Sequence, residues 1–126
     1  MSFLVLSSDH QPGVENLIKG LFSEQDVEIY RSMGHLSERL RRPVGDSIGV
    51  LAPRGREELL EILERKDLLQ GIPTVVIAPD EQVETISIAH RLRPRFVACL
   101  NGNMGDLAAV LRKMAAVQHE KGSIPS

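Results

Sequence analysis

Ser7, Ser8, Asp9 and His10 follow a short apolar run, Leu4-Val5-Leu6, and place two hydroxyls, a carboxylate and an imidazole side by side. A carboxylate and an imidazole in one turn can bind a metal or move a proton. Further along, Asp80 follows the apolar run that ends at Ala78. Two carboxylates on separate loops are weak grounds for a metal site, and the plain reading is a turn Asp9 and a helix-capping Asp80. Gly102-Asn103-Met104-Gly105 precedes a helical pattern, where free N–H groups can bind an anion. Its two glycines make neither a Gly-x-Gly-x-x-Gly nor a P-loop, so loop and cap is the simpler reading. Cys99 is the one cysteine, with no His or Asp placed by the sequence to activate it, and reads as a strand residue. His35, His90 and His119 fall on predicted helices and read as surface positions.

The elements that would position these residues alternate along the chain. Leu4-Val5-Leu6, Val27 to Tyr30, Ser47 to Ala52, Thr74 to Ala78 and Phe96 to Leu100 are short apolar runs, predicted as strands. Thr74, Val75, Val76 and Ile77 are all β-branched, which makes the fourth the clearest. Between them, Val14, Leu17, Ile18, Leu21 and Phe22 recur at helical spacing. A short helix is predicted from His35 to Arg41, ahead of Pro43, and a third from about Arg56 to Lys66, with Glu61 and Arg65 able to pair across a turn. A fourth is predicted from an Asp80 cap to about Arg93, ahead of Pro94. The fifth starts at Asn103 or Asp106 and buries Leu107, Val110, Leu111, Met114 and Val117. Residues 1–120 are expected to form one domain, with Lys121 to Ser126 as a polar tail.

Five strands alternating with five helices imply an α/β fold, a parallel sheet covered on both faces. The expected strand order is 2-1-3-4-5, the flavodoxin-like arrangement. Ligands of such sheets bind at the carboxyl ends of the strands. That edge is made here from Ser7 to His10, Ala52 to Gly55, Ala78 to Asp80 and Leu100 to Asn103.

Bulk properties narrow the function. A net charge of −2 gives no basic excess for a phosphate backbone, and 3% aromatic residues leave little for base stacking, so no nucleic-acid partner is expected. No apolar run is long enough to span a bilayer, and residues 1–6 lack signal-peptide features, so a cytoplasmic location without membrane contact is expected. One cysteine excludes an internal disulfide.

Three features together resemble the receiver domain of bacterial response regulators: the strand and acidic turn Leu4-Val5-Leu6-Ser7-Ser8-Asp9, the Ile72-Pro73 pair before the fourth strand, and the fifth strand leading into helix five. The likeness covers about residues 2 to 117. The resemblance implies an acid pair binding Mg²⁺, an acceptor Asp after the third strand, a Thr or Ser after the fourth and a Lys after the fifth. Those positions fall on Ser7 and Ser8, on Leu51 or Ala52, on Ala78, and on Leu100 or Asn101. Each departs from the family pattern, and Asp9 is the one acid left in the first turn. Two serines cannot neutralise a hard divalent ion as carboxylates do, and neither Leu nor Ala can attack phosphorus.

The resemblance therefore implies a degenerate receiver: no catalysis, no cofactor, and action through a protein partner. Receivers commonly contact partners and each other through helix four, strand five and helix five. Here that face carries His90, Arg91, Arg93, Arg95, Asp106, Arg112 and Lys113, a mixture of charges compatible with a homodimer. The basic residues Arg39, Arg41 and Arg42, with Arg54 and Arg56 beyond, are able to meet an acidic partner, although such charges are usually a solvated face. The alternative is a small-ligand domain, for a nucleotide or cobalamin, at the carboxyl edge. His10-Gln11-Pro12-Gly13 is similar to the His-x-x-Gly of cobalamin-binding domains, but Ser8 stands where their motif has an Asp.

Overall fold

Three short strands that are buried along their whole length set the architecture. The computed structural model describes residues 2–8, 12–99 and 104–123, with the backbone alone for 12, 104 and 118–123. The elements run β1 (Phe3–Ser7), α1 (Pro12–Leu21), β2 (Val27–Tyr30), α2 (Met33–Leu40), β3 (Ile48–Ala52), α3 (Arg56–Glu64), β4 (Thr74–Ala78), α4 (Val83–Arg91), β5 (Phe96–Cys99) and α5 (Met104–Ser123). All pairings are parallel and the sheet order is β2-β1-β3-β4-β5, the predicted flavodoxin-like arrangement.

Every residue of β1, β3 and β4 is buried, because the sheet is covered on both sides. Phe3, Val5, Val50, Val75 and Ile77 face one layer, packed against Val14 and Ile18 of α1 and Leu107 and Leu111 of α5. Leu4, Leu6, Leu51 and Val76 face the other, packed against Met33 and Leu36 of α2, Leu59 and Ile62 of α3 and Ala89 of α4. Consecutive residues point to opposite faces, so each strand feeds both layers. Strands β2 and β5 form the edges and are half-buried apart from Ala98, which is fully buried.

Helix boundaries depart from the sequence reading in specific ways. Helix α2 begins at Met33 because Ser32 caps it, its hydroxyl accepting the His35 N–H at 3.2 Å. Helix α4 begins at Val83, with Gln82 in the cap position. Asp80 instead closes a turn just ahead of it, accepting the Gln82 N–H at 2.9 Å. Helix α3 ends at Glu64, followed by a short 3-10 turn over Lys66–Leu69. Arg65 donates to the Ser37 hydroxyl at 3.3 Å rather than pairing with Glu61. Helix α5 continues to Ser123, past the start of the predicted tail at Lys121. Among the described residues, no helix is long and apolar enough to cross a membrane.

Candidate functional site

At the carboxyl edge of the sheet, β1 ends in Ser7, with Ser8 just beyond it. Ser7 is fully buried and its hydroxyl donates to Oε2 of Glu15 at 2.9 Å. Glu15 lies in the first turn of α1, beside the core residue Val14, and is itself 3% exposed. Arg31, just after β2, reaches across with Nη1 at 2.6 Å and Nη2 at 3.1 Å from the two Glu15 oxygens. The same Nη1 donates to the Ser7 carbonyl at 3.0 Å. This forked geometry is the strong form of an Arg–carboxylate bond, and the carboxylate raises the Arg31 pKa further. A single guanidinium thus joins the ends of β1 and β2 to the start of α1.

Ser8 is tied in the same manner to the opposite helix layer. Its hydroxyl lies 2.7 Å from both oxygens of Glu58, in the first turn of α3. Glu58 is 8% exposed and also accepts the Arg54 N–H at 3.0 Å, with the Arg54 guanidinium at 4.0 Å. Two buried glutamates therefore flank the end of β1, one from each layer. Both are placed by helical spacing, since Glu15 sits between Val14 and Ile18, and Glu58 lies one turn before Ile62. That inward position was the signal available in the sequence, and the charge of the residue masked it.

The other positions of this edge are apolar or turn-forming. Leu51, Ala52 and Ala78 are fully buried. Asp80 is held below the usual carboxylate range by the Gln82 N–H, the Thr85 hydroxyl and the charge of Arg56. Asp9, His10, Leu100, Asn101, Gly102 and Asn103 lie outside the described residues. Among the described residues, no group of three or more His, Cys, Asp or Glu side chains is disposed to hold a metal ion.

The seven residues of the expected interaction face separate in space. His90 and Arg95 line a groove of about 570 Å³ between α4 and β5, whose floor includes Ile86, Phe96, Val97 and Cys99. Arg91 and Arg93 line a different cavity, of about 420 Å³, at the amino ends of the strands. Asp106, Arg112 and Lys113 are exposed on α5, in the opposite helix layer from α4.

The basic run from Arg39 to Arg42 is partly committed to internal bonds. Arg39 donates from Nε to Glu28 at 2.9 Å, and the Tyr30 hydroxyl donates to the same oxygen at 2.6 Å. Burial pushes the Glu28 pKa up, but the bonds from Tyr30 and Arg39 outweigh it and leave the group below its ordinary value. Arg41 and Arg42 remain exposed. No family model, curated protein or solved structure matches the chain in comparisons with known proteins.

Proposed function

We propose that the chain is a noncatalytic, cytoplasmic receiver-like signalling module that acts by contact with another protein through the α4–β5 edge. The observation that carries this reading is the bonding at the end of β1. Ser7 and Ser8, which occupy the positions of the receiver's acid pair, are bonded to Glu15 and Glu58. Those glutamates also bind Arg31 and the Arg54 N–H, so their lone pairs stabilise the fold. Leu51, Ala52 and Ala78, fully buried at the other key positions, carry no carboxylate or hydroxyl to take part in phosphoryl transfer, which supports the same reading.

The groove between α4 and β5 supports the second half of the reading. Its floor is apolar and its rim carries Glu81, His90 and Arg95, the composition of a contact site with charged selectivity. Strand β5 is also an edge, with β4 as its only pairing partner among the described residues. A homodimer and a complex with a different protein both use this surface in the same way. The test compares wild type with Arg95→Glu by sedimentation velocity and by pull-down with tagged bait. Loss in the variant of self-association or of a specifically captured protein is the expected result. Wild-type behaviour of Arg95→Glu in both assays refutes the assignment of this face.

A further inference from the structure

At the amino end of β4, away from both the carboxyl edge and the α4–β5 groove, three cations face one cavity. It holds about 420 Å³ and its lining includes Lys66, Arg91, Arg93 and Thr74. Lys66, Arg91 and Arg93 are exposed and make no side-chain hydrogen bond or ion pair with any described residue. This contrasts with Arg31, Arg39 and Arg54, each bonded to a glutamate. Asp67 is the one acid in the lining, which leaves the site with an excess of two positive charges.

Two independent features separate this cavity from an ordinary patch of surface arginines. Thr74 is 5% exposed, yet its hydroxyl makes no hydrogen bond to any described residue. A buried polar group without a partner is costly, and one lining a cavity is satisfied by whatever occupies that cavity. The second feature is Arg93, which has φ of 54° and is the only non-glycine with positive φ among the described residues. It follows the end of α4, and its N–H bonds to the His90 carbonyl at 3.0 Å. Glycine is the residue favoured in that left-handed position, since it carries no Cβ. Keeping an arginine there opposes the backbone preference, and strain of this kind collects at binding sites.

We infer that this cavity binds a small organic phosphate, with the phosphate dianion between Lys66, Arg91 and Arg93 and a bond from the Thr74 hydroxyl. A phosphate ester carries close to two negative charges at neutral pH, matching the excess charge of the lining. Its oxygens accept from guanidinium groups, an ammonium and a hydroxyl together. Leu69, Ile72 and Leu92 line the same cavity and provide an apolar surface for the organic part. The volume falls within the ordinary range for small-molecule sites. This site is independent of the α4–β5 groove and stands or falls without it.

Phenyl phosphate serves as the probe, with benzoate and sulfate as controls at constant ionic strength. The expected result is a saturable rise in the melting midpoint with phenyl phosphate and none with benzoate. Arg91→Gln and Arg93→Gly should each weaken binding about tenfold, the size of one lost charge-assisted bond. Arg93→Gly should at the same time leave the unliganded midpoint unchanged or higher, because glycine relieves the backbone. Thr74→Val should weaken binding about threefold without lowering the midpoint. Equal responses to phenyl phosphate and sulfate, or unchanged affinity in all three variants, overturn the inference. Co-sedimentation with phosphatidate vesicles, without a response to the soluble ester, also overturns it and assigns the cations to a lipid surface.

Discussion

Replacing a valine by threonine changes one methyl to a hydroxyl at nearly constant volume, so its cost reports whether the site is dry. Val76 and Val83 offer the two extremes. Val76 is fully buried in β4, paired in register with Leu51 on β3 and Val97 on β5. It packs in the layer that includes Leu4, Ile62 and Ala89. Val83 begins α4 and is 80% exposed. At Val76 the new hydroxyl has no side-chain acceptor in its apolar layer, and an unsatisfied buried group costs about 1–3 kcal/mol. The unfolding entropy of 126 residues is about 0.26 kcal/mol per kelvin near the midpoint. Val76→Thr should therefore lower the midpoint by about 4–12 °C. Val83→Thr should stay within about 0.5 kcal/mol of wild type, less than about 2 °C. Val76→Asp, which buries an unpaired carboxylate, should cost several kcal/mol, a large part of the roughly 6–19 kcal/mol available to a domain of this size. The assay is thermal unfolding followed by circular dichroism. Equal midpoints for the two threonine variants would refute the placement of β4 between two covered faces.

The remaining predictions concern the edges and the charged groups. Incubation with acetyl phosphate and Mg²⁺ should give no phosphoryl adduct by intact mass, and a stoichiometric adduct on Asp9 or Asp80 would contradict the proposed function. Millimolar Mg²⁺ should leave the melting midpoint unchanged, whereas a saturable rise abolished by Asp9→Asn would indicate a metal site in the first turn. The Glu28 pKa lies below its ordinary 4.5, so its contribution to stability is present above that value and is lost as pH falls through the folded pKa. Glu28→Gln should accordingly lower stability at neutral pH and converge on wild type as pH falls through the folded pKa of Glu28, flattening the acid limb; an unchanged acid limb would remove Glu28 from the account. Arg112→Glu, exposed on α5, should change stability by less than about 0.5 kcal/mol, as read from urea unfolding.

The strand pattern was legible in the sequence because short continuous apolar runs and β-branching agree, most plainly from Thr74 to Ile77, where the whole strand is buried. Helix starts were less so. An aspartate that caps a helix and one that closes a turn both accept a nearby backbone N–H, and Asp80 proved to do the second. The two glutamates at the end of β1 escaped notice for a different reason. Charged residues are read as solvent-facing, yet each falls on the inward stripe of its helix and is buried with a serine partner. The separation of the arginines could not be read from their spacing either. Arg91, Arg93 and Arg95 alternate along the chain, but the positive φ at Arg93 turns the backbone, and Arg95 joins the groove rather than the cavity.

The strand order also has a consequence for synthesis on the ribosome. β1 becomes an interior strand as soon as β2 and β3 flank it, and all three lie within residues 3–52. β4 and then β5 add to the open side of β3 in the order in which they emerge. No later segment has to insert between strands already paired. From β3 onward the nascent chain can thus grow its sheet outward in one direction, with each new strand docking on a finished template. The last contacts to form join α5 to the layer begun by α1, through Leu107 and Leu111. A chain arrested before α5 would hold all five of its strands in register while leaving the part of that layer covered by Leu107 and Leu111 open to solvent, a surface for a chaperone until the final helix arrives.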